Sequence, residues 1–250
     1  MVQQLPPLAE LFSPDYITAR RRFRDRAARF HWESKAIPIG LYANVAQPLT
    51  IDLASTPNPE ASKLLVLSSG VHGVEGFFGS AVQLALMELW DQFGHPDVRC
   101  LLIHAVNPFG FQWGRRTNEN NVDLNRNFLL EGEAFRGAPD GYAELDSILN
   151  PTTPITQRDL FSVRIIPLLL RKGLAALKQS VAGGQYEFPE GVFFGGSKHE
   201  RSVQLMADHF AQWIDGIDEV VHLDFHTGLG RSGSWRLLLD YAPTAEQVER

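Results

Sequence analysis

The stretch 68–79, SSGVHGVEGFFG, leaves this chain few choices. An apolar run, KLLVL, precedes it and a helical pattern, SAVQLALMELW, follows, so a strand must turn almost directly into a helix. Glycines recur at every third position through the turn (Gly70, Gly73, Gly76 and Gly79), and two strong ligand groups, His72 and Glu75, sit among them. At a helix start, side chains three residues apart lie on one side, so an imidazole and a carboxylate can converge on one point. The spacing alone is a weak signal, because a His-x-x-Glu is commonly a helix start with a surface carboxylate.

The same alternation of short apolar runs and longer helical patterns continues along the chain. Strands are predicted over 36–43, 49–55, 63–69, 98–107, 219–227 and 234–241. Helices are predicted over 14–30, 77–92, 157–181 (bent or restarted at Pro167) and 198–214, the last opened by a capping box of Ser197 and Glu200. This order implies an α/β fold: a mixed, largely parallel twisted sheet with helices on both faces, the first two strands pairing antiparallel. Two segments stay outside it. Residues 128–156 are rich in Gly, Pro, Asp and Asn, and 183–196 form a glycine-bounded loop of aromatics that reads as the wall of a cleft, with Tyr186 as a polar contact.

At 250 residues and 44% hydrophobic content the chain can bury a sizeable core. Its net charge of -6 argues against nucleic acid as a partner, and the arginine-rich run 19–30 reads as a solvated helix face with Phe23 and Phe30 turned inward. The single cysteine, Cys100, gives no disulfide framework and suits a reducing compartment. The opening MVQQLPPLAELF lacks a signal-peptide pattern, and no apolar segment approaches the ~18 residues of a membrane helix, so a cytoplasmic protein without a membrane partner is expected.

A catalytic metal site needs a third ligand from another strand end, where ligands gather in α/β sheets. The segment EVVHLDFHTGLG supplies one: along a strand His222, Asp224 and His226 share a face, with Leu223 and Phe225 on the other. His226 stands last, where the strand meets the crevice, and Asp224 and His222 lie deeper as supporting groups. Residues 107–128, NPFGFQWGRRTNENNVDLNRNF, then offer many rigid donors. Asn125 and Arg126 suit a carboxylate, and a further arginine suits a developing oxyanion.

Together GVHGVEG, NPFGFQWGRRTNENNVDLNRNF and DFHTG, in that order, resemble the zinc carboxypeptidase superfamily, which includes the succinylglutamate desuccinylase and aspartoacylase group. The resemblance implies zinc held by His72, Glu75 and His226. It implies that Arg116, rather than Arg115, polarises the scissile carbonyl and that Asn125 and Arg126 hold the substrate's terminal carboxylate. Asp123 would orient the first histidine. The implied substrate is a peptide or an acyl-amino acid with a free carboxylate, and the implied reaction is metal-assisted amide hydrolysis. An N-acyl amino acid deacylase is the alternative, since HGVE fits that branch equally. The family also uses a glutamate base well downstream of the third ligand. After His226 the carboxylates are Asp240, Glu246 and Glu249, and none matches it. The expectation is therefore a single carboxypeptidase-like domain, 1–250, shortened at its C-terminus; a metal-binding protein without catalysis is a further alternative.

Overall fold

Five strands form in the computed structural model, which describes residues 6–58, 60–152, 161–228 and 230–239. They are β1 (Glu33–Gly40), β2 (Leu49–Ser55), β3 (Lys63–Ser69), β4 (Arg99–His104) and β5 (Glu219–Phe225). They make one sheet in the order β1-β2-β4-β3-β5. β1 with β2 and β2 with β4 are antiparallel; β4 with β3 and β3 with β5 are parallel, so the sheet is mixed. The described helices are α1 (Leu8–Leu11), α2 (Tyr16–Arg29), α3 (Gly76–Phe93), α4 (Pro108–Trp113), α5 (Tyr142–Leu149), α6 (Phe161–Lys172), α7 (Leu174–Ala182) and α8 (Arg201–Ile214).

Period-two alternation along the strands separates two cores. Ala54, Leu67, Cys100 and Leu102 face Phe23 and Ala27 of α2 and Met87 of α3. Their neighbours Leu53, Val66, Leu101 and Ile103 face the other way, onto Val203, Leu205 and Met206 of α8 and onto Val122, Leu124 and Phe194. Each such side chain contributes about 1.5–3 kcal/mol by leaving water, and the sheet is held from both sides. Cys100 is buried and unpaired, and burial pushes its thiol up to about 11.

Several sequence expectations change in the fold. The strand over 98–107 stops at His104, because Ala105 turns left-handed (φ 63°) and the Asn107 side chain then accepts from Gly110 N at 2.8 Å to cap α4. The helix over 157–181 breaks at Gly173 (φ 78°) and not at Pro167, which lies inside α6; residues 157–160 lie outside the described ones. Residues 234–239 form no strand among the described residues, having no ladder partner there. The capping box of Ser197 does not form either: α8 starts at Arg201, with Glu200 as its N-cap residue. The arginine run is also less solvated than it read. Arg20 is buried and donates to Pro48 O at 2.9 Å, and Arg24 reaches Asp52 Oδ1 at 2.6 Å. No helix among the described residues is long and apolar enough to cross a membrane.

His104 lies across the ladder from Asp52, fully buried, with its ring stacked on Phe23 at 4.9 Å and its Nε2 3.1 Å from Ser80 Oγ. Burial first, and the nearby charges of Arg24 and Arg20 second, hold its pKa down at about 3, against an ordinary value of 6.5. The folded form keeps the ring neutral, whereas the unfolded chain takes up a proton below about 6.5. Stability present above that pH is therefore lost as pH falls, by up to about 1.4 kcal/mol per unit toward pH 3. His104→Gln should flatten this dependence. Urea unfolding at pH 6.5 and pH 4.5 checks it: the drop in the parent should exceed the drop in the variant.

Candidate metal centre

β3 ends at Ser69, and Gly70 (φ 69°) turns the chain into a short 3-10 turn, Gly73–Glu75, that runs on into α3. The turn is crowded by the segment after β4: a Cβ on Gly73 would lie 2.1 Å from the carbonyl carbon of Gly110. That segment is also stitched to the turn through its main chain, with Gly73 N donating to Arg116 O (3.2 Å) and Val74 N to Arg115 O (2.9 Å). His72 and Glu75 are thus fixed on one side of the turn, both nearly buried. β5 lies beside β3 and carries the chain to His226, just past its end.

His72, Glu75 and His226 meet there, with one ligand atom of each within 4.8 Å of the others. Glu75 Oε1 is 3.0 Å from His72 Nδ1, its Oε2 is 3.0 Å from His226 Nδ1, and the two Nδ1 atoms are 3.1 Å apart. Both Nε2 atoms face carboxylates: His72 reaches Asp123 Oδ1 at 3.2 Å, and His226 reaches Asp224 Oδ2 at 2.6 Å. With a cation between Nδ1 and Glu75, each Nε2 would keep the ring proton against its aspartate, and each Nδ1 would present its lone pair. Two imidazole lone pairs and a carboxylate aimed at one another are the donor set of a divalent cation of zinc type, and the residues fit that group. His226 is the open side of the cluster, its side chain 33% exposed.

Without a cation the same geometry attracts protons. Hydrogen bonds donated to Asp224 and Glu75 raise His226 to about 10. Burial works against ionised Glu75, yet its bonds to His226 and His72 and from Thr227 N hold it at about 2. Burial likewise opposes the charge on His72 and on Asp123, and their mutual hydrogen bond prevails: His72 is raised and Asp123 lowered.

Arg116 stands next to the cluster. Its Nε donates to Asp123 Oδ2 at 2.9 Å and its Nη1 is 3.8 Å from Glu75 Oε1. Arg115 turns away, its guanidinium 6.0 Å from the Phe109 ring and exposed. Asn125 and Arg126 share a 3-10 turn (Leu124–Arg126) that begins at Asp123, but they differ in setting. Asn125 is exposed, while Arg126 donates to Asn125 O at 3.0 Å and Ala182 O at 2.9 Å. From β3, Ser68 Oγ donates to Asp224 Oδ1 of β5 at 2.6 Å and lies 2.7 Å from His222 Nε2, so Asp224 is anchored on both oxygens. Asp240, Glu246 and Glu249 lie outside the described residues.

Most asparagines of this segment fasten loops instead of facing a ligand, contrary to their reading as donors for chemistry. Asn118 and Asn120 donate to Glu200 Oε2 at 2.8 and 2.7 Å, Asn121 to Pro189 O at 3.0 Å, and Asn127 to Gly195 O at 2.7 Å. Glu200 had read as a cap because that pairing is local; its partners lie some 80 residues away, where no periodicity points to them. Tyr186, expected as a ligand contact, gives its hydroxyl to Arg126 O at 2.8 Å. Of the aromatics in its loop, Phe194 packs in the core, whereas Phe193 lies 4.8 Å from the Arg116 guanidinium.

The chain belongs to the family described as Protein of unknown function (DUF2817), which matches residues 12–250. No curated protein is significantly similar to it. Among solved structures it is similar to a provisionally assigned metallopeptidase from Shewanella baltica OS155 (24% identity, TM-score 0.34, 47% of this chain and 42% of that one). It is also similar to a provisionally assigned succinylglutamate desuccinylase/aspartoacylase from Shewanella frigidimarina NCIMB 400 (22%, TM-score 0.40, 79% and 46%). A third is bovine thrombin-activatable fibrinolysis inhibitor, in complex with tick carboxypeptidase inhibitor (14%, TM-score 0.48, 84% and 60%). The chain spans from 42% to 60% of the length of these three.

Asn118 is nearly buried and joins the arginine-bearing segment to Glu200. Asn118→Ala removes one of the two amide donors to the buried Glu200 Oε2, a charge-assisted bond whose loss should cost about 1–3 kcal/mol in denaturant unfolding. A loss no larger than that of an exposed control such as Asn125→Ala would make the link unimportant.

Proposed function

We propose that this chain is a zinc-dependent hydrolase that cleaves an amide bond next to a terminal carboxylate, with residues 1–250 acting as one metallohydrolase domain. One observation carries the reading: two imidazole Nδ1 atoms and Glu75 face a common point, each imidazole backed by a carboxylate at Nε2. Held by His72, Glu75 and His226, zinc would supply Lewis acidity, polarising a carbonyl and lowering the pKa of water toward neutrality.

The chain's own groups do the rest. Asp123 and Asp224 keep the histidine protons on Nε2 and raise the basicity of Nδ1. Arg116, fixed at Nε by Asp123, keeps its Nη atoms beside Glu75, where they can donate to a carbonyl oxygen as it gains charge. Asn125 and Arg126 receive the substrate's carboxylate. Arg126 would exchange bonds to main-chain carbonyls for stronger, charge-assisted ones. The His-Gly-x-Glu pattern at His72 favours N-acyl amino acids as a second substrate class.

Elemental analysis should find one zinc per chain in the parent and little in His72→Ala or His226→Ala, while His222→Ala, which touches Ser68 and not the cluster, retains more. Equal zinc in all three variants would remove the ligand assignment. Activity is tested with C-terminal amino acid release from peptides and amine release from N-acyl amino acids; turnover of neither by zinc-loaded protein would overturn the hydrolase reading. Arg126→Lys keeps the charge but loses the fork. Calorimetry with a carboxylate inhibitor should show binding weaker by about 1.5–3 kcal/mol at unchanged zinc content.

A further inference from the structure

The loop over 185–195 is pinned along its length. Gln185 N donates to Phe193 O (3.1 Å), Gly195 N to Gln185 O (2.8 Å) and Asp123 N to Phe194 O (2.7 Å). Phe194 is buried in the core beneath it. Within this held segment Phe193 adopts φ 56°, a left-handed backbone that a bulky side chain disfavours and glycine accepts readily. Gly191, Gly195 and Gly196 stand close by, so the chain uses glycine freely here and still places a phenylalanine at the disfavoured position. The ring it keeps there lies 4.8 Å from Cζ of Arg116.

We propose that Phe193 is a positioning residue for Arg116: the left-handed backbone carries the ring onto the guanidinium and fixes the direction of its free N–H groups. The inference rests on the reading of Arg116 as the group that meets the substrate carbonyl. Asp123 accepts from the guanidinium at Nε alone, and Glu75 Oε1 stands 3.8 Å from Nη1, too far for a hydrogen bond, so these two leave the planar group room to swing. A ring against the face of the plane removes that freedom, and the cation–π attraction favours the stacked orientation. The Arg116 side chain is 36% exposed, so without the ring solvent would compete for its donors. Backbone strain at a held loop is a recurrent mark of a site whose geometry matters more than its stability.

The test uses zinc-loaded protein carrying Phe193→Gly, Phe193→Leu or Phe193→Tyr. Glycine relieves the backbone and removes the ring, leucine keeps apolar volume without a π face, and tyrosine keeps both strain and ring. Solvent exchange of the Arg116 Nε–H, read by nitrogen-15 NMR, should quicken about tenfold with glycine and leucine and return to the parent rate with tyrosine. Urea midpoints should not follow this order, since glycine is the least strained. In turnover, kcat should fall about tenfold for glycine and leucine with KM little changed, as expected for an interaction made in the transition state. Exchange in the leucine variant equal to that of the parent would overturn the inference and make Phe193 ordinary packing. If the parent turns over neither substrate class, the hydrolase reading fails, while the exchange rates still decide whether Phe193 positions Arg116.

Discussion

A carboxylate with no exposure to solvent, Asp123, accepts from His72 at one oxygen and from Arg116 at the other, and its own amide donates to Phe194 O. Burying such a charge is expensive unless several donors meet it. Here the donors come from the turn after β3 and from the segment after β4, and the main-chain bond reaches the loop that holds Phe193. Those three pieces must close together or leave the charge unsatisfied. With a cation on Nδ1 the same carboxylate would keep the His72 proton on Nε2, so packing and the proposed ligand chemistry share one side chain.

On the second imidazole the arrangement is repeated with different parts. Asp224 takes the proton side of His226 and is itself held by Ser68, a strand residue whose hydroxyl also reaches His222. Each histidine is therefore backed by its own aspartate, one from a loop and one from a strand. Their orientation does not depend on Glu75 alone.

Much of this could be read along the chain wherever the information was periodic or local. The apolar run KLLVL and the alternation in EVVHLDF mark two strands, and the second puts His222 and Asp224 on one face with His226 just past its end. His72 and Glu75 are three residues apart, and a helix start brings them together without help from the rest of the fold. What escaped the reading is long-range and aperiodic. Asn118, Asn120 and Glu200 belong to loops, and the partnership joins segments some 80 residues apart. The left-handed turn of Phe193 is held by the bond of its carbonyl to Gln185 and of the next residue's, Phe194, to Asp123, and nothing in VFFGG announces it. The helix restarts not at Pro167, which stays inside α6, but at Gly173, whose backbone angle stops the first helix.

β5 pairs with β3 alone among the described residues, and that has a kinetic side. His72 and Glu75 become neighbours as soon as the turn after β3 forms, but His226 joins them only when a strand more than 150 residues farther along docks in parallel. Parallel pairing over such a loop is slow, since the chain entropy of closure is spent before any contact rewards it. Early species on the folding path thus hold two of the three clustered side chains, too few for tight binding of a cation. If the cluster holds a cation as proposed, its tight capture would mark the docking of β5.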